Sequence, residues 1–213
     1  MRASLMASTM FFLIVFASCS SGISENQEEQ IVLNIPDNYT VFEVPDSITV
    51  QGGGVNLAGE LLMVGDVLED VILDKRADYF DEVDSTRLSD YAGIKLIQTV
   101  PSLDTPVCTL QTKQLEAAAE KFSDTQFITI SNDTPFALQR FCSANKIDNL
   151  VTLSDARTRE FGQENSFLLP EYGLLTRAIM IVDESLEILY IEYAEEVTHE
   201  LNLENALAFL QSL

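Results

Sequence analysis

A chain of 213 residues with 46% hydrophobic content can bury one sizeable core without disulfide staples or a structural metal. Its 34 acidic residues against 12 basic ones give a formal charge of −22, which excludes a nucleic-acid binder because nothing would neutralise phosphates. The acidity is spread along the chain, so it predicts a solvated surface or, alternatively, a docking face for a basic partner.

In chain order, residues 1–18 read as an export signal. Arg2 is the positive end, and the apolar run over 5–17 is shorter than the roughly 20 residues of a membrane span. Phe16-Ala17-Ser18-Cys19 is similar to a bacterial lipobox, which makes Cys19 the expected lipidation site and the address an exported, membrane-anchored one. Other readings, in descending order, are a plain signal peptide with an incidental cysteine, an uncleaved anchor and a cytosolic address. Residues 19–43 then form the lipidated end and a polar tether, and 44–213 the folded domain. The apolar stretches at 48–51 and 55–58, around Gly52-Gly53-Gly54, predict a β-hairpin. A phosphate-binding loop is not supported, since no helix, Lys or hydroxyl follows in the required order.

Residues 71–73 predict a short strand and 78–90 a charged loop. From 94 onward strand and helix alternate: strand 94–100, helix 110–122 with Cys108 in its first turn, strand 127–130, helix 135–145 capped by Asp133 or Thr134, strand 151–153, and a loop or short helix over 155–161. Strands 178–182 and 189–193 pair across Asp183-Glu184-Ser185, and an amphipathic helix over 203–213 ends the chain. This alternation predicts an α/β fold with a mainly parallel sheet covered on both faces and an antiparallel edge.

Two thiols remain once Cys19 is set aside. Cys108 follows a buried strand and opens a helix, where backbone N–H groups and the helix dipole favour the anionic sulfur that acts as a nucleophile. Cys142 lies in the next helix. A structural disulfide is the plainer reading of two cysteines in an exported chain. A metal site is poorly supported, because two isolated cysteines and His199 lack four-ligand spacing, and no cofactor is implied.

The strings themselves resemble a known family. Pro101, Thr105 and Cys108 make the P-x-x-x-T-x-x-C pattern of peroxiredoxins, and Val100 to Cys108 with Gln111-Thr112 is similar to the thiol peroxidase branch. Phe136-Ala137-Leu138-Gln139-Arg140-Phe141-Cys142, Thr152-Leu153-Ser154-Asp155, Phe161-Gly162 and Gly173-Leu174-Leu175-Thr176-Arg177-Ala178 follow in matching order. Two segments depart from the pattern: Gly65-Asp66 lacks the Ala-Pro pair and Phe that usually follow, and Asn165-Ser166-Phe167 replaces Tyr-Gly-Val. The resemblance implies a thioredoxin-like fold with a mixed central sheet flanked by helices and an N-terminal hairpin. It also implies reduction of hydrogen peroxide and organic hydroperoxides by thiols alone. Cys108 would be the peroxidatic cysteine and Cys142 the resolving one, in the atypical two-cysteine manner. Thr105 would supply a hydroxyl to the reacting sulfur and peroxide, Arg177 the guanidinium that holds the thiolate, and Pro101 a shield over the pocket. A thioredoxin-like dithiol would be the reductant, and the protein would be a homodimer touching the membrane only through its lipid. Two other functions stay open on sequence: a membrane-tethered thiol–disulfide oxidoreductase, although Thr105 occupies the first position of the expected C-x-x-C, and a non-catalytic interaction module.

Overall fold

The computed structural model describes residues 45–213. The export signal, Cys19 and the tether lie outside the described residues. Among the described residues no helix is long and apolar enough to cross a membrane.

The described chain runs β1 (Ile48–Val50), β2 (Gly53–Val55), β3 (Leu73–Lys75), β4 (Ser85–Thr86), β5 (Lys95–Val100), α1 (Pro106–Ala119), β6 (Gln126–Ser131), α2 (Pro135–Asn145) and β7 (Val151–Ser154). It continues with α3 (Glu160–Glu164), β8 (Leu168–Leu169), β9 (Leu174–Leu175), β10 (Ala178–Val182), β11 (Ile188–Tyr193) and α4 (Leu203–Ser212). Seven strands form the central sheet in the order β11-β10-β5-β6-β7-β3-β4.

The sheet is mixed, which corrects the mainly parallel one expected from the alternation. Two of its six pairings, β5 with β6 and β6 with β7, are parallel. Parallel neighbours need a crossover, and α1 and α2 supply those two. Strand β10 reaches the free side of β5 after the small β8–β9 hairpin and runs antiparallel to it. Strand β3 likewise closes the opposite side against β7 without a crossover helix.

Both faces of the sheet are covered, so every residue of β5 and of β10 is buried. The two-residue period of the strands divides them. Leu96, Val100, Ile179 and Ile181 join one core with Leu115 of α1, Phe141 of α2 and Phe209 of α4. Ile97, Met180 and Val182 join a second core with Ile128, Phe161 and Phe167. Each such side chain contributes about 1.5–3 kcal/mol through burial. Both cysteines sit in the first core.

Four local details differ from the sequence expectation. The N-terminal hairpin turns at Gln51-Gly52, both with positive φ, so Gly53 and Gly54 enter the strand rather than the turn. The early strand lies two residues later, at Leu73–Lys75, where it finds β7 as a neighbour. The segment expected as a charged loop holds β4 and a single turn of 3₁₀-helix at Leu88–Asp90. That turn is fixed by two carboxylates: the distant Asp70 accepts from Leu88 N and Ser89 Oγ, and the turn's own Asp90 accepts from Thr86 Oγ1. Finally, α1 starts at Pro106, before its apolar periodicity begins, because Pro at the first helical position is preset for the helix.

Candidate active site

The link from β5 into α1 is pinned from below by one carboxylate. Asp133 accepts hydrogen bonds from Ser102 Oγ (2.7 Å), Leu103 N (2.7 Å) and Ser131 Oγ (2.8 Å). The capping of α2 therefore falls to Thr134, which accepts from Ala137 N at 3.3 Å. Pro101 is buried at the start of this link, and Thr105 ends it as the N-cap residue of α1. Thr105 is exposed and its hydroxyl donates to Ser102 O at 3.0 Å, which leaves the oxygen lone pairs free to accept. Thr109 N already bonds Thr105 O, and Pro106 has no N–H. The amides of Val107 and Cys108 are thus the free donors of the first turn.

Cys108 is fully buried and meets Arg177 Nη2 at 3.1 Å. Arg177 immediately precedes β10 and is itself 1% exposed. Its other two nitrogens are also engaged: Nε donates to Val197 O and Nη1 to Gln111 Oε1, both at 2.9 Å. The backbone around Arg177 is held as well, since Thr176 N donates to Phe167 O and Ala194 N to Arg177 O. No carboxylate is among these contacts. A buried guanidinium without a partner anion is costly, and among the described residues the sulfur of Cys108 is the one ionisable group to which it donates. The geometry is complementary to a sulfur anion, from Arg177 on one side and the α1 N-terminus on the other.

Cys142 occupies the last turn of α2 and is also buried. Its Sγ lies 3.4 Å from Thr152 Oγ1 of β7. Both cysteines are free thiols, so no structural disulfide joins them here. The turn that carries Cys142 ends in Lys146, a non-glycine residue in the left-handed region (φ 56°), and Ile147 N reaches back to Cys142 O. A left-handed lysine costs roughly 1–2 kcal/mol, which makes this end of the helix the easier one to unwind.

The structure thus brings together Cys108 and Arg177, with Thr105 and Pro101 on the link that delivers Cys108, and holds Cys142 on the neighbouring helix. His199 is exposed and stands apart from the two thiols, its N bonding Glu196 O. Sequence reasoning gave three groups that build the site no part in it. Gln111 orients Arg177, Asp133 shapes the entry to α1, and Thr152 contacts the second thiol. Gln111 was within reach: it lies three residues after Cys108, one turn on and on the same helix face. Asp133 reads in sequence only as a possible cap of α2 and Thr152 only as part of a family string, because their contacts in the site are long-range ones.

The comparisons with known proteins agree with this geometry. The Redoxin family model matches residues 68–207. The chain is 39% identical over 165 residues to the thiol peroxidase of Oceanobacillus iheyensis, covering 77% of this chain and 98% of that protein. It is 36% identical over 167 residues to the thiol peroxidase of Bacillus subtilis, covering 78% and 97%. Among solved structures it is similar to a peroxiredoxin-like protein from Aquifex aeolicus, with 27% identity and a TM-score of 0.69 over 78% of this chain and 97% of the other. It also shares its fold with a thiol peroxidase from Chromobacterium violaceum, at 21% identity and a TM-score of 0.68, over 78% and 95%. The expected thioredoxin-like fold with a mixed central sheet is therefore present.

Proposed function

This chain belongs to the redoxin family and is a thiol-dependent peroxidase, and we propose that Cys108 attacks the peroxide and Cys142 resolves the product. The observation that carries this reading is the buried Arg177 guanidinium, whose ionisable partner is the Cys108 sulfur at 3.1 Å. The thiolate displaces an alkoxide or hydroxide from the O–O bond, taking the other oxygen with its hydrogen as a sulfenic acid. The leaving oxygen takes one proton to become alcohol or water. The free amides of Val107 and Cys108 and the unpartnered Gln111 Nε2 are donors for the charge that develops on oxygen. Thr105 supplies a hydroxyl at the mouth, and Pro101 keeps bulk water off the sulfur.

Cys142 then displaces water from the sulfenic acid and forms the Cys108–Cys142 disulfide. A disulfide requires Cα atoms within about 7 Å, and both thiols are buried in separate helices. Resolution therefore passes through local unwinding, and the last turn of α2 is the segment poised to move. A thioredoxin-like dithiol returns the enzyme to its two free thiols. Hydrogen peroxide and organic hydroperoxides are both substrates in this scheme. Domain 44–213, export through residues 1–18, anchoring through a lipid on Cys19 and homodimerisation complete the proposal. The address is tested by the membrane fraction of cells expressing the full chain against Cys19→Ser, which should release it.

Peroxide consumption driven by dithiothreitol, against reduction of insulin disulfides under the same conditions, tests the function. Fast peroxide loss with negligible insulin reduction is expected. The opposite pattern would make the protein a disulfide oxidoreductase, and neither activity would leave a non-catalytic module.

A further inference from the structure

Among the described residues, an exposed aromatic cluster takes no part in the thiol chemistry. Tyr79 and Phe80 meet edge to face at 5.0 Å between ring centres, and Tyr79 leans on Phe136 at 5.9 Å. Phe80 is 94% exposed and Tyr79 77% exposed, so neither ring stabilises the core. The start of their loop, between β3 and β4, is nonetheless tied to the first residue of α2 and to the segment just past its end. Ala77 N donates to Pro135 O at 3.3 Å, and Arg76 Nη1 to Ile147 O at 2.9 Å.

A cavity of about 420 Å³ opens beside the cluster, walled by Val83, Pro135, Phe136 and Ala156 with the hydroxyl residues Ser85 and Thr134. Its polar end is already neutralised, because Arg157 grips Asp74 with Nε at 2.9 Å and Nη2 at 2.7 Å. The result is a largely apolar hollow with the Phe136 ring in its wall and Tyr79 leaning on that ring. The adjoining loop carries exposed Asp78, Asp81, Glu82 and Asp84 against exposed Lys75 and Arg76, a net acidic rim. The position matters too. Phe136 and Arg140 share the exposed side of α2, one turn apart, and Arg140 pairs with Asp104 of the Cys108 link at 3.6 Å. Cys142 lies six residues beyond Phe136, a rise of roughly 9 Å.

We propose that this face docks the protein dithiol that reduces the enzyme, a partner with an apolar side chain for the hollow and Lys or Arg around its own thiols. The inference rests on the Cys108–Cys142 disulfide proposed above. In the step it serves, one partner thiolate attacks a sulfur of that disulfide, and the enzyme's other sulfur leaves as a thiolate. The partner's second thiolate then breaks the mixed disulfide, so the partner ends oxidised and its two protons pass to the enzyme's cysteines. The charge decides among occupants. A second copy of this chain would bring the same acidic rim against itself, and anionic lipid would be repelled in the same way, whereas a basic rim is complementary.

The test measures peroxide turnover by the wild type, Tyr79→Ser/Phe80→Ser and Asp81→Lys/Glu82→Lys with three reductants. These are dithiothreitol, a bacterial thioredoxin recycled by NADPH and its reductase, and the same thioredoxin with lysines added around its Cys-x-x-Cys. The aromatic variant should raise KM for both thioredoxins by roughly tenfold, the effect of losing central aromatic anchors, with dithiothreitol turnover unchanged. The lysine-rimmed thioredoxin should have the lower KM on the wild type, and the charge-reversed variant should lose that preference. An unchanged KM in the aromatic variant overturns the proposal. So does a wild type turned over by dithiothreitol but by neither thioredoxin. A shift of the aromatic variant from dimer to monomer in sedimentation, with KM unaltered, would assign the face to self-association instead. Absence of turnover with dithiothreitol would sink the peroxidase mechanism itself, a distinct failure.

Discussion

Replacing Arg177 by Gln removes the cation from the site while keeping a polar side chain of moderate length. The change deletes the 3.1 Å contact to Cys108 Sγ and the donors to Val197 O and Gln111 Oε1. A hydrogen bond to a charged group is worth about 1.5–3 kcal/mol. At about 1.4 kcal/mol per tenfold, the loss at sulfur alone slows attack on peroxide by roughly 10- to 150-fold. Removing a preorganised donor from a charge-developing transition state typically costs about 10²–10³ in rate, so the upper part of that range is expected. The two orphaned acceptors cost stability as well, of order 1–3 kcal/mol each. Rapid mixing with peroxide, quenching with a thiol-trapping reagent and weighing the intact protein gives the oxidation rate of Cys108 directly. Arg177→Lys should fall between, because an ammonium keeps the charge without the fork that reaches three acceptors. A folded Arg177→Gln protein oxidised within threefold of the wild-type rate would refute the role assigned to the guanidinium.

Three further outcomes follow from contacts away from Cys108. Thr152→Val removes the hydroxyl beside Cys142, about 1 kcal/mol of support for the closed arrangement. Disulfide formation should then quicken up to roughly fivefold, and sulfinic acid at high peroxide should fall, with the first oxidation step untouched; equal sulfinate yields would contradict this. Asp155 accepts from Phe161 N and Gly162 N, yet burial raises its carboxyl to about 6. The folded state therefore binds the extra proton, so stability declines as pH rises from about 4 through 6, by at most ~3 kcal/mol. Urea midpoints across that window should lose this component in Asp155→Asn, and an unaltered slope would exclude it. Glu196 accepts from Thr198 Oγ1, Gly52 N, Thr198 N and Gln51 N, and these bonds hold its carboxyl far below the ordinary range. Its support is present above about 4.5 and is lost on acidification, so Glu196→Ala should speed hydrogen exchange over β1 and β2 at neutral pH.

Much of the fold was legible because both cores announce themselves through periodicity. Strand β5, helix α2 and the β10–β11 pair lie where apolar runs and turn residues place them. The direction of the sheet was less so: alternation suggested parallel neighbours, but β3 and β10 take their places without crossovers, and strand direction is a tertiary property. The short elements β4, β8 and β9 have two residues each and exist through cross-chain hydrogen bonds, which a window of sequence does not contain. In the site, Cys108 and Arg177 were legible through the family pattern, 69 residues apart yet in contact. The carbonyl of Val197 and the carboxylate of Asp133 were not, because their partners are set by packing rather than by spacing.

The central claim is that Cys108 reacts first and Cys142 second, within one chain. One equivalent of peroxide added to the reduced domain 44–213, with free thiols and intact mass followed in time, tests it most directly. Rapid loss of both thiols with a two-hydrogen fall in mass is the predicted result. Cys108→Ser should abolish it, and Cys142→Ser should stop at a one-oxygen gain. Thiol loss no faster than that of a free model thiol, or a Cys108→Ser protein that still consumes peroxide, would contradict the account.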